Sequence, residues 1–182
     1  MEKELEVKVL GVDINNIEEK IVKMGGVLIA NEEQINTLID SKNNPIKSYV
    51  DAYLRIRETK DNLTGSEKIE LTLKKSIKNK ELRENEELNV VLESKETMLD
   101  IFKNLGFTNV SVGFKHRKSY RFMDARIDLD TWDKETYPES YIEIELKDKK
   151  DLSVILDKLG INSKNISTLS IVELKEKLNN EA

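Results

Sequence analysis

Cysteine is absent from this 182-residue chain, and histidine occurs once, at His116. The first absence removes disulfides and thiolate metal sites and is compatible with a reducing compartment. The second leaves serine–histidine–acid catalysis with one imidazole to draw on, which makes that chemistry implausible. No glycine-rich phosphate loop is present. No apolar run is long enough for a signal peptide or a membrane span, so a cytoplasmic setting without a membrane partner is expected. A basic excess is also missing. The 30 Lys and Arg stand against 35 Asp and Glu, a net charge of -5, which argues against a general nucleic-acid binder.

What the chain does have is charge of both signs. Charged residues make up 36% and hydrophobic residues 38%, the balance of a soluble, ion-rich protein. The length suits one domain over 1–182, with strands mostly within 1–146 and helices after them.

The charges are ordered. Residues two apart on an extended strand share a face, so Glu4, Glu6 and Lys8 oppose Leu5, Val7 and Val9. The same alternation predicts strands over 27–40 (Asn31 being a candidate break), 52–58, 70–74, 82–92, 114–122, 125–130 and 141–146. Helices are expected over 14–24 behind Asp13, between Ser94 and Gly106, and over 150–159 and 168–179. Runs of adjacent strands favour an antiparallel α+β arrangement over alternating βαβ units.

The strand at 82–92 leaves its register open. With Leu88, Val90 and Leu92 on the apolar face, Arg83, Asn85, Glu87 and Asn89 share the charged one. A bulge would bring Glu84 and Glu86 there instead. Glu87 is the preferred acid, with Glu86 the alternative.

Like charges recur two apart on one face at Glu4/Glu6, Arg55/Arg57, Lys115/Arg117, Asp128/Asp130 and Glu143/Glu145. The members of each pair are roughly 7 Å apart. On an open sheet, water and salt would screen their repulsion, and each strand taken alone fits that arrangement. In a closed barrel all would face one lumen, where ligands of opposite charge are needed. Carboxylates suit Mg²⁺ or Mn²⁺, and Arg and Lys suit phosphate oxygens. Both signs in one lumen match a metal–polyphosphate complex.

The ordered set resembles the CYTH, or triphosphate tunnel metalloenzyme, superfamily. Glu4-x-Glu6-x-Lys8 matches its ExExK signature. Leu54-Arg55-Ile56-Arg57, Thr72-x-Lys74 and a Glu-rich strand at 84–87 follow, then Lys115-x-Arg117-x-x-Tyr120, Leu129-Asp130-x-Trp132 and Tyr141-Ile142-Glu143-Ile144-Glu145. The resemblance implies an eight-stranded antiparallel β-barrel with helices packed outside, acting on triphosphates with a divalent metal. It implies metal ligation by Glu4, Glu6, Glu87 (or Glu86), Asp130, Glu143 and Glu145, with Asp128 a further candidate. It implies phosphate binding by Lys8, Arg55, Arg57, Lys74, Lys115 and Arg117, and catalytic roles for Glu4, Glu6 and Lys8. The chain departs from the family's RxExE pattern at Asn85, which occupies the first glutamate position.

The expected activity is Mg²⁺- or Mn²⁺-dependent hydrolysis of tripolyphosphate, ATP or another nucleoside triphosphate, or thiamine triphosphate. A class IV-type adenylate cyclase forming cyclic AMP and pyrophosphate is the alternative, and a non-catalytic polyphosphate- or nucleotide-binding module the third reading. His116 falls on the face opposite Lys115 and Arg117. Trp132 is expected to pack at a loop or tunnel rim rather than stack a base, and the helix at 168–179 to be a solvated amphipathic one.

Overall fold

The computed structural model describes residues 2–77 and 83–181, with side chains for residues 5–77 and 84–180. Eight strands make up the barrel: β1 (Glu2–Val9), β2 (Val27–Asp40), β3 (Ala52–Asp61), β4 (Glu67–Ile77), β5 (Arg83–Val91), β6 (Asn109–Phe122), β7 (Ala125–Trp132) and β8 (Tyr141–Leu146). They pair in the order β5-β4-β3-β2-β6-β7-β8-β1, and β1 returns to β5. Each of these pairings is antiparallel. Closure satisfies backbone groups that an open sheet would leave at its edges.

The same edge of β1 is divided between two partners. Glu2 to Glu6 pair with β5, and Lys8 and Val9 pair with the short β9 (Ile166–Ser167).

Because the charged faces turn inward, most of the apolar core lies outside the barrel, between strands and helices. The largest patch joins Val7, Val9, Tyr120, Ile127, Ile142 and Ile144 to Ile17 and Ile21 of α1 (Ile14–Lys23) and Ile155 and Leu159 of α3 (Asp151–Leu159). Burying each such side chain stabilises the fold by roughly 1.5–3 kcal/mol.

Asp13 caps α1 by accepting from the Asn15 N–H at 3.0 Å. Gly160 ends α3 at φ 66, a left-handed conformation that favours glycine. There Lys20 Nζ donates to the Leu159 carbonyl at 2.7 Å, placing a cation at the negative end of the helix.

A second patch sets Met98, Leu99 and Phe102 of α2 (Lys95–Asn104) against Leu54, Ile56, Leu71 and Leu73. A third sets Leu174 and Leu178 of α4 (Ile171–Glu181) against Tyr137 and Tyr141. No helix among the described residues is long and apolar enough to cross a membrane.

The strands run further than alternation indicates, β3 to Asp61, β4 from Glu67 to Ile77 and β6 from Asn109. Tilted strands in a closed barrel pair beyond the stretch their apolar residues mark. β2 continues through Asn31, and its irregularity falls between Leu28 and Ala30. Leu82, expected to open the fifth strand, lies outside the described residues. Leu88 and Val90 point away from the lumen as expected but are 48% and 52% exposed. α2 covers the neighbouring β3 and β4 wall instead.

Candidate active site in the barrel lumen

The lumen is a cavity of about 1450 Å³ lined by residues from all eight barrel strands. Cross-strand register creates its ion pairs. Lys8 stands opposite Glu143, Arg117 opposite Asp130, and Lys74 opposite Glu87. Lys8 Nζ donates to Glu143 Oε1 at 2.8 Å, and Lys74 Nζ lies 2.8 Å from Glu87 Oε1. Arg117 forms a fork on Asp130, with both bonds at 2.6 Å. Its other contacts are Asp128 at 2.6 Å and Glu143 at 2.7 Å. Lys115 Nζ donates to Asp130 at 3.0 Å, and Asn85 Nδ2 donates to Glu6 Oε1 at 2.9 Å.

These contacts shift the titration of the groups. Burial raises the Asp130 carboxyl, but Arg117 and Lys115 overcome it and hold the group at about 2. Burial likewise opposes ionisation of Glu143, which Lys8 and Arg117 hold well below the usual carboxylate range. Burial, reinforced by Arg117, pushes the Lys115 ammonium down to about 7.

The wall formed by β3 differs. Arg57 Nε donates to Asn36 Oδ1 at 2.8 Å, and among the described residues Arg55 reaches only Thr72 Oγ1 at 3.5 Å and the Tyr53 ring. Among the described residues, no carboxylate pairs with either guanidinium. Burial and the neighbouring Arg55 and Arg117 push the Arg57 guanidinium down to about 9. Around the closed ring β3 stands half-way from β8, so Arg55 and Arg57 confront Glu143 and Glu145 across the lumen.

Glu6, Lys8, Arg55, Arg57, Lys74, Glu87, Lys115, Arg117, Glu143 and Glu145 all line this cavity. Asp130 does not. It is fully buried behind Lys115 and Arg117, and Asp128 reaches the surface in its place. The Glu4 side chain lies outside the described residues; its backbone pairs with Asn85. On β5, Glu87 faces the lumen while Glu84 and Glu86 are half-buried and absent from its lining. His116 is exposed on the outer face, 2.8 Å from Asn31.

Trp132 sits in the cavity wall, donating to the Tyr141 hydroxyl at 3.0 Å with Lys115 Nζ 5.2 Å from its ring. Gly113 permits this. A Cβ there would stand 2.6 Å from Thr136 Oγ1 and 3.1 Å from the Trp132 ring. Ile171, Val172 and Glu173 of α4 also line the cavity, a contact that the reading of this helix as merely solvated did not anticipate.

Other lining residues were not singled out from the sequence. Arg126 alternates visibly with Asp128. Gln34 and Asn36 are neutral and carried no charge signal.

Among the described residues, no three Asp, Glu, His or Cys side chains form a ready-made metal-binding group. The donors nevertheless suit a hard divalent cation, being carboxylate oxygens. Glu145 has no ion pair among the described residues. Burial pushes its carboxyl up against the pull of Arg126, and Asp128 and Glu6 add repulsion. A cation beside these three acids would relieve that repulsion.

The sequence profile of the CYTH domain matches residues 2–170. A candidate adenylate cyclase of Methanocaldococcus jannaschii is 31% identical over 180 residues, covering 94% of this chain and 98% of that protein. The PH1012 protein of Pyrococcus horikoshii has a solved structure that matches with TM-score 0.74 at 26% identity, covering 94% of this chain and 98% of the other. The PH1819 protein of the same organism matches with TM-score 0.77 at 23% identity, covering 96% and 98%. The chain therefore belongs to the CYTH domain family, within the triphosphate tunnel metalloenzyme superfamily.

Proposed function

We propose that this chain hydrolyses a linear triphosphate, either tripolyphosphate or the triphosphate of a nucleotide or thiamine, with Mg²⁺ or Mn²⁺ in the barrel lumen. The observation that carries this reading is the division of one cavity. On β3, Arg55 and Arg57 keep their guanidiniums clear of carboxylates among the described residues, while Glu143 and Glu145 confront them from β8. A molecule bridging the two walls must offer anionic oxygens to one and a cation to the other, as a metal–triphosphate complex does.

Glu6, Glu143 and Glu145 would hold the metal, joined by Glu4 and Glu87. When bound, such a metal withdraws charge from phosphate oxygens and lowers the pKa of a bound water. Arg55 and Arg57 would grip the phosphates through paired contacts. Lys8, Lys74, Lys115 and Arg117 would offset charge on the transferring phosphoryl group. Asp130, buried behind its two cations, would act as their counterion rather than as an exposed metal donor. No side-chain nucleophile is required.

The relative from M. jannaschii favours a second reading, cyclisation of ATP to cyclic AMP and pyrophosphate. Incubation with ATP, GTP, thiamine triphosphate and tripolyphosphate under each metal, followed by product separation, distinguishes the readings. Orthophosphate supports hydrolysis. Cyclic AMP with pyrophosphate supports cyclisation, and binding without turnover supports a binding module.

A further inference from the structure

We propose that Asn36 is a ligand-binding residue, whose side-chain amide donates to an oxygen of the triphosphate gripped by Arg57. This rests on the lumen being a triphosphate site. Alternation along β2 turns Gln34 and Asn36 inward, between β3 and β6, and Asn36 lines the cavity while only 3% exposed. Its Oδ1 accepts from Arg57 Nε at 2.8 Å. That bond fixes the amide orientation, because the flipped form would set its NH₂ against an N–H donor. The Nδ2 group is therefore the remaining polar end, and among the described residues it has no partner.

A buried donor left unmet is costly, and such groups in native proteins call for an explanation. The register neighbours supply no acceptor side chain. Across β3 stands Arg57, a donor, and across β6 stands Gly113, which has no side chain. No acceptor among the described residues bonds this Nδ2, although the unpartnered Gln34 Oε1 lies on the same strand face, and an anionic phosphate oxygen provides one.

The contrast with Arg117 supports the same role. Arg117 is held by Asp128, Asp130 and Glu143, which neutralise it. Arg57 is aligned by a neutral amide, which leaves its positive charge for a ligand. Asn36 thus orients the guanidinium with one end and offers a donor with the other.

A double-mutant cycle separates direct binding from mere support of Arg57. The probe is the non-hydrolysable imido analogue of tripolyphosphate with Mg²⁺, titrated calorimetrically into wild type, Asn36→Ala, Arg57→Ala and the double variant. Asn36→Ala is expected to weaken binding about 10- to 100-fold, the range for a hydrogen bond to a charged group, and to do so in both backgrounds. Asn36→Asp keeps the acceptor for Arg57 while replacing the donor, and is expected to lose at least as much. An unchanged Kd in Asn36→Ala overturns the assignment, as does a loss that disappears in the Arg57→Ala background. Wild type that fails to bind the probe overturns the triphosphate reading itself, so the two failures are distinguishable.

Discussion

Arg117 and Asp130 face each other across β6 and β7 and share two hydrogen bonds of 2.6 Å, with Asp130 fully buried. Removing one partner of a buried ion pair leaves an uncompensated charge. Asp130→Ala is therefore expected to destabilise the fold by about 3–5 kcal/mol. Urea unfolding measures this, and a loss below about 1 kcal/mol would contradict the role of Asp130 as counterion to Lys115 and Arg117.

Glu145 offers the opposite case. It has no ion pair among the described residues, and Asp128 and Glu6 repel its charge. Glu145→Gln should leave the metal-free melting temperature unchanged or raise it, while removing an acid proposed to hold the metal. In wild type, Mg²⁺ at 100 times its Kd should add about 2.7 kcal/mol of stability. Thermal melts with and without Mg²⁺ are the check, and a variant that keeps the full Mg²⁺ shift and turnover removes Glu145 from the site.

Arg55→Ala should act on binding rather than on the fold, because no carboxylate among the described residues pairs with this guanidinium. KM for the triphosphate should rise about 10- to 100-fold, as for a lost charge-assisted hydrogen bond. Steady-state kinetics decide, and an unchanged KM counts against the cationic wall as the phosphate grip.

Acid stability has a local component outside the lumen. Lys118 Nζ bonds both Glu18 oxygens, at 2.8 and 2.9 Å, and the Tyr120 hydroxyl donates to Glu18 at 2.5 Å, tying α1 to β6. Burial opposes ionisation of Glu18, but the Lys118 and Tyr120 bonds outweigh it and lower the carboxyl below its ordinary value of 4.5. The folded state therefore binds this proton less readily than the unfolded chain. The stabilisation is fully present above pH 4.5 and is lost as pH falls through the lowered value. Glu18→Gln should flatten that part of the stability curve, read from melting temperatures between about pH 3 and 7. A variant with the wild-type slope would refute the assignment.

Much of the site was legible because the side-chain period of a strand is local. Glu6 and Lys8, Arg55 and Arg57, Lys115 and Arg117, and Glu143 and Glu145 share faces whatever their strands pair with. Alternation along 82–92 already favours Glu87 over Glu86, and the structure turns Glu87 into the lumen opposite Lys74 while Glu86 is absent from its lining. Asn36 escaped notice because a neutral amide looks like any polar strand residue until a buried, unpartnered donor is found on it. The outer exposure of Leu88 and Val90 depends on where α2 docks, which alternation along β5 does not encode.

Sequence alone determined which side chains share a face, the sign each strand presents and the family to which the pattern belongs. Tertiary structure decided closure, the position of Asp130 behind its cations and the confrontation of Arg55 and Arg57 with Glu143 and Glu145. The physical reason is range. Alternation is settled between residues two apart, whereas a contact such as Lys8 with Glu143, separated by 135 positions, exists only once the strands have closed into a ring.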